Sequence, residues 1–109
     1  MTGKILGKIT SAEFGQVRDY PFLFGLQLDF KLGDGSFIGS GSHYTINISA
    51  ECRWKESERH AAIVKIIEHA NKILEDAKVN YVAQLVNKPV EVEIEQNTFK
   101  DFRILTEVL

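Results

Sequence analysis

The sequence runs to 109 residues, 44% hydrophobic and 26% charged, the balance of one globular domain rather than a disordered chain. A formal net charge of -2 and a pI near 5.9 supply no field for neutralising a phosphate backbone, which argues against a dedicated duplex-binding role and against a nucleic-acid polymer as partner. The single cysteine, Cys52, has no internal partner for a disulfide and fits a reducing compartment.

The start, Met1 to Lys8, lacks the apolar run of a signal peptide, and no stretch is long and apolar enough to span a bilayer, so the expectation is a cytosolic protein with no membrane partner. Residues 1–109 read as a single domain without linker or repeat. Residues 4–14 form a first strand interrupted by Gly7. Residues 21–31 are the clearest strand: Phe22, Phe24, Leu26, Leu28 and Phe30 recur at period two. Asp34-Gly35 then turns the chain, and residues 36–49 return as a third strand. Residues 55–78 carry an apolar stripe of Ile63, Ile66, Ile67, Ala70, Ile73, Leu74 and Ala77 at helical spacing, with Glu56 and Glu58 in the first turn and Trp54 placed to staple it. Asn80 caps a short helix from Tyr81 to Val86, and Asn87 and Pro89 stop it. Val90, Val92 and Ile94 alternate with Glu91, Glu93 and Glu95, Gln96-Asn97 turns, and residues 98–108 return. The order β-β-β, long helix, short helix, β-β hairpin predicts an α+β domain with an antiparallel sheet.

Glycines 33, 35, 39 and 41 do not make a phosphate loop: the lysine and hydroxyl of a P-loop are missing, and no helix start follows. At period two Gly39 and Gly41 share a face with Phe37, His43, Thr45 and Asn47. Two missing side chains there leave either a bulge or a shallow trough flanked by Phe37 and His43. Phe99, Lys100, Phe102 and Arg103 interleave rings with cations, a pattern suited to stacking on a base and gripping a phosphate. Phe102 reads as core, whereas alternation places Phe99 beside Asp101 and Arg103. Arg18, Asp19 and Tyr20 precede Pro21 in a polar connection that serves as a turn or a binding loop. His43, His60 and His69 show no zinc spacing with Cys52, and the histidines read as surface residues. No metal set, nucleophile–base pair or carboxylate dyad stands out, which points to a binding protein rather than an enzyme.

The stretches Leu85-Val86-Asn87-Lys88-Pro89-Val90-Glu91-Val92 and Asn97 through Leu109, with Ile9 to Phe14, Phe24-Gly25-Leu26 and Trp54-Lys55-Glu56, resemble a family of small proteins of tailed phages and prophages. Its members usually carry glycine where this chain has Asn87 and a hydroxyl where it has Lys55. The chain is similar in kind to the Thoeris anti-defence sponges that bind glycocyclic ADP-ribose. That resemblance implies a protein of the host cytoplasm that sequesters a small nucleotide immune signal of Thoeris or CBASS type, a cyclic ADP-ribose derivative or cyclic oligonucleotide, without catalysis, cofactor or metal. The alternative is an inhibitor of a host defence protein such as a CRISPR effector. In the first reading a homo-oligomer holds the ligand: Phe99 stacks, Arg18 and Arg103 hold phosphate, Asn97 and His43 donate or accept hydrogen bonds, and Phe37 borders the trough.

Overall fold

The computed structural model describes residues 2–49 and 55–109, so the expectations placed on Cys52 and Trp54 lie outside the described residues. The domain is α+β, with a six-stranded antiparallel sheet and one long helix. Strands β1 (Gly3–Val17) and β2 (Tyr20–Leu32) form a long hairpin whose two-residue turn is Arg18-Asp19. β3 (Phe37–Gly39) and β4 (Tyr44–Asn47) both pair with the far edge of β2. The helix α1 (Glu56–Ala77) follows, and a 3-10 turn (Val82–Leu85) leads into β5 (Pro89–Glu95), which pairs with β1. β6 (Thr98–Ile104) completes the order β3-β2-β1-β5-β6, with β4 beside β3 on β2.

The return strand expected over residues 36–49 is two short strands. Ser40 is the cause. It is buried, its Oγ accepts the Leu28 N–H at 3.0 Å, and its own N–H donates to the Leu28 carbonyl at 2.8 Å. These bonds pin the chain at Ser40 while it turns through Gly41, whose φ of +54° favours glycine. The Asp34-Gly35 turn forms as expected, and Asp34 Oδ1 accepts from both the Ser36 N–H and hydroxyl.

The inner face of the sheet follows the period-two pattern of β2: Leu26, Leu28, Phe30 and Leu32 are buried with Ile9, Val90, Val92 and Ile94. Burying such side chains contributes about 1.5–3 kcal/mol each relative to exposure, before the entropy of ordering them. At Gly25 the backbone of β4 comes so close that a Cβ would lie 2.3 Å from the Tyr44 carbonyl oxygen.

The helix covers this face mainly with its C-terminal half, where Ile73 and Ala77 are buried. Ile63 and Ile67, expected in the same stripe, lie on its flank in solvent, Ile67 being 55% exposed. Lys78 ends the helix in the left-handed conformation, and its N–H and that of Val79 satisfy the last carbonyls. The expected Asn80 cap is replaced by Gln84, whose Oε1 accepts the Asn80 and Tyr81 N–H groups at 3.0 and 2.9 Å. Asn87 has a φ of +73°, as its place after the turn requires, and its N–H donates to the Ile9 carbonyl.

Candidate functional site

The β5–β6 hairpin decides which side chains reach the site. Gln96 and Asn97 both take positive φ, the backbone of a tight two-residue turn, so Asn97 sits at the hairpin tip. Glu93 pairs with Asp101 and Ile94 with Phe99, leaving Lys100 as an extra, bulged residue. The bulge reverses the alternation. Phe99 therefore turns inward with Phe102 instead of outward with Arg103, correcting the expected face. Its ring stacks on Phe30 at 5.5 Å with an interplanar angle of 10° and is 9% exposed, so one of its faces is already occupied.

The cations expected to hold phosphate are distributed differently too. Arg103 Nε donates to Glu91 at 3.1 Å and Nη1 to Glu107 at 3.1 Å, which raises its already high pKa and engages its fork. Lys100 lies 3.5 and 3.2 Å from Glu93 and Glu95, so the acidic face of β5 is matched by cations of β6. Arg18 is at the tip of the β1–β2 hairpin, whereas Glu91 pairs with Leu6 near the other end of β1. Eleven residues of strand put the two arginines on the order of 35 Å apart, too far to share a small ligand within one chain. Phe37 is 69% exposed on β3 with the Lys31 ammonium 5.9 Å from its ring centre, remote from both arginines.

His43 is brought into a cleft. The cleft lies between β4, α1 and β6, has a volume of about 350 Å³, and is lined by His43, Tyr44, Lys65, Ile66, His69 and Asp101 among others. Tyr44 Oη donates to Asp101 Oδ1 at 2.8 Å, and the same oxygen accepts the Phe102 N–H at 2.8 Å. The His69 ring packs on Tyr44 at 4.6 Å, and the His43 ring meets Tyr44 and Phe99 edge-on at 4.9 and 5.4 Å. Phe99 thus supports a wall of the cleft from behind. Of the six expected site residues, only His43 lines this cleft.

Tyr44, Lys65, His69 and Asp101 were not read as site residues. His69 carried a faint signal, a histidine one position from the Ile66–Ala70–Ile73 stripe and so turned towards the sheet. Nothing local marks the other three, because the cleft is assembled from residues 43 to 101.

Burial, first, holds His69 below the ordinary histidine value; Asp101 pulls the other way, and the positive charges of His43 and Lys65 deepen the depression. Burial also pushes the Tyr44 phenol up, and its hydrogen bond to Asp101 and the charge of Asp101 add to this. The signs follow by linkage. A depressed native pKa at His69 means stability is complete above about pH 6.5 and declines as pH falls below that value towards the native pKa. A raised pKa at Tyr44 means stability is complete below about pH 10 and declines as pH rises above it. Urea midpoints across pH are therefore expected to fall at both extremes. His69→Asn should flatten the acid limb relative to wild type and Tyr44→Phe the alkaline one. Limbs that superimpose on wild type would remove these groups as the cause.

Among the described residues no group of three or more histidine, cysteine, aspartate or glutamate side chains is arranged to hold a metal ion, and no helix is long and apolar enough to cross a membrane. Comparison of the chain with protein-family models, with curated proteins and with solved structures gives no match.

Proposed function

We propose that the protein captures a small nucleotide without transforming it, and that the cleft between β4, α1 and β6 holds the base. The observation that carries this reading is the ring set of His43, Tyr44 and His69 around one cavity with Lys65 and Asp101 on its wall. Rings offer stacking surfaces worth about 1–3 kcal/mol per base. The Lys65 ammonium is the phosphate partner, and Asp101 accepts from an exocyclic amine or a ribose hydroxyl. At about 350 Å³ the cleft is near the small end of ligand sites, which run from about 300 to 1,000 Å³. One copy holds one nucleotide unit, and a larger cyclic ADP-ribose derivative or cyclic oligonucleotide calls for two copies facing one another. Stoichiometric capture of this kind is what a phage sponge against a bacterial immune signal would do in the host cytoplasm.

The test is a thermal-shift and calorimetric screen with AMP, ADP-ribose, cyclic ADP-ribose derivatives and cyclic di- and trinucleotides. A ligand at about one hundred times its dissociation constant adds roughly 2.7 kcal/mol to stability, a plain rise in Tm. Lys65→Ala and His69→Ala should abolish the rise, Arg103→Ala should retain it, and the ligand should be recovered unchanged after heat denaturation. No shift with any nucleotide would overturn the reading. A converted ligand would overturn its non-catalytic part.

A second reading, inhibition of a host defence protein, draws on the solvent-facing Ile63, Val64 and Ile67 of α1. It predicts that charged substitutions there abolish anti-defence activity while nucleotides leave the melting curve unmoved.

A further inference from the structure

Helix α1 carries apolar surface that the sheet does not use. Ile73 and Ala77 are buried, but Ile63, Val64 and Ile67 face solvent, Val64 and Ile67 being 52% and 55% exposed. Scattered apolar side chains are ordinary on a surface, whereas three on one flank of one helix make a patch. At helical spacing the same flank continues through His60 and Asn71, both exposed and both without full charge at neutral pH.

The two ends of this flank carry opposite charges. Glu56 is eleven residues before Ile67 and Lys78 is eleven residues after it. Eleven residues are about three turns, or about 16 Å, so the three residues fall along one line of the helix. The Glu56 side chain is 86% exposed and is approached only by His60, at 3.8 Å. Lys78, the C-cap, is exposed, and among the described residues its ammonium has no ion-pair partner. A two-fold axis through Ile67 therefore sets Glu56 of one copy against Lys78 of the other, and does so at both ends. Ile67 meets its own equivalent, Val64 meets Asn71, and His60 meets Leu74. A parallel pairing would oppose Glu56 to Glu56 and Lys78 to Lys78, so the charges select the antiparallel one. A surface complementary to itself about a two-fold axis is what an isologous dimer requires.

We infer that this flank of α1 is the interface of a homodimer, in which two copies of the helix pair antiparallel with Ile67 at the two-fold axis and reciprocal Glu56–Lys78 ion pairs at the ends. The pairing needs no ligand. Lys65 and His69, which line the cleft, are each about 160° around the helix axis from Ile67, so both clefts of the dimer stay open. The dimer thus rests on no part of the nucleotide reading. One helix pair buries less than the roughly 800 Å² per partner of a standard interface, which places it among the weak, reversible ones, with association in the micromolar range.

The experiment is sedimentation velocity of the full chain over a micromolar concentration series at low salt, without nucleotide. The expected result is a reversible monomer–dimer equilibrium. Glu56→Lys and Lys78→Glu should each weaken it by about tenfold or more, because both end contacts then oppose like charges. The double variant should regain wild-type association, and so should an equimolar mixture of the two single variants, in which unlike charges again meet across the interface. Ile67→Ser should leave the chain monomeric. Circular-dichroism melts at monomeric dilution should be unchanged in every variant, which separates loss of pairing from loss of folding. A wild-type chain that stays monomeric throughout the series would overturn the inference. So would a dimer indifferent to Ile67→Ser and to the single reversals, or a double variant that associates no better than the singles. A monomeric chain that captures a host defence protein through Ile67 would overturn it in favour of the inhibitor reading.

Discussion

Replacing Phe99 with alanine is expected to lower folding stability by about 3–5 kcal/mol, the usual cost of deleting a core phenylalanine. Its ring is 9% exposed, stacks on Phe30, and also contacts Phe102 and the edge of His43. Against a total of about 5–15 kcal/mol for a domain of this kind, such a loss leaves little in reserve. Urea denaturation measures it directly, and Tm should drop by at least roughly 12 °C at about 4 °C per kcal/mol. A double-mutant cycle with Phe30→Leu should show a coupling of about 0.5–1.5 kcal/mol from the stacked pair. A variant as stable as wild type would mean that the ring is not part of the core, and would return it to the outward, base-stacking role.

The second large effect is at the seam between β2 and β4. Gly25→Ala is expected to destabilise by about 1–3 kcal/mol, towards the upper end. The added Cβ would lie 2.3 Å from the Tyr44 carbonyl oxygen and 2.8 Å from the Thr45 Cα. Both obstacles are backbone atoms, which cannot swing aside as a long side chain would, so β4 must shift as a unit. Tyr44 moves with it, and the Tyr44–Asp101 hydrogen bond across the cleft is strained or lost. Hydrogen exchange should therefore quicken at residues 44–47 more than in the β1–β5 ladder. Gly15 supplies the control: it faces Gly25 directly across the hairpin, yet a Cβ there meets nothing within 4 Å. Gly15→Ala should stay close to wild type, and equal losses at the two positions would refute the close-approach argument.

The parts of the fold that were legible are those where one periodicity runs unbroken. β2 keeps period two from Phe24 to Leu32, and the C-terminal half of α1 keeps its stripe through Ile66, Ala70, Ile73 and Ala77. The antiparallel α+β class followed from those elements and from the turns at Asp34-Gly35 and Gln96-Asn97. What was not legible traces to single irregularities. One buried hydroxyl, at Ser40, splits the third strand into two, and its bond to Leu28 is twelve residues distant in sequence. One extra residue, Lys100, inverts the facing of Phe99 and with it the strongest element of the expected site. Arg103 had the right chemistry for an anion, but Glu91 and Glu107 reach it first, and only the strand pairing and the final 3-10 turn (Thr106–Val108) make that visible. The cleft combines residue 44 of one strand, 65 and 69 of the helix and 101 of another strand. Such a site has no linear signature.

Asp101 has an effect beyond the cleft. β6 is the outermost strand on its side, and an open margin of this sort invites a neighbouring molecule to zip on. Here the carboxylate folds back onto the Phe102 N–H while the preceding residue bulges from the ladder, so an incoming strand finds a donor already taken and the register interrupted. Sheet-to-sheet growth through this margin is thereby discouraged. The same carboxylate thus shapes the interior of the cleft and occupies a donor on the margin of the sheet.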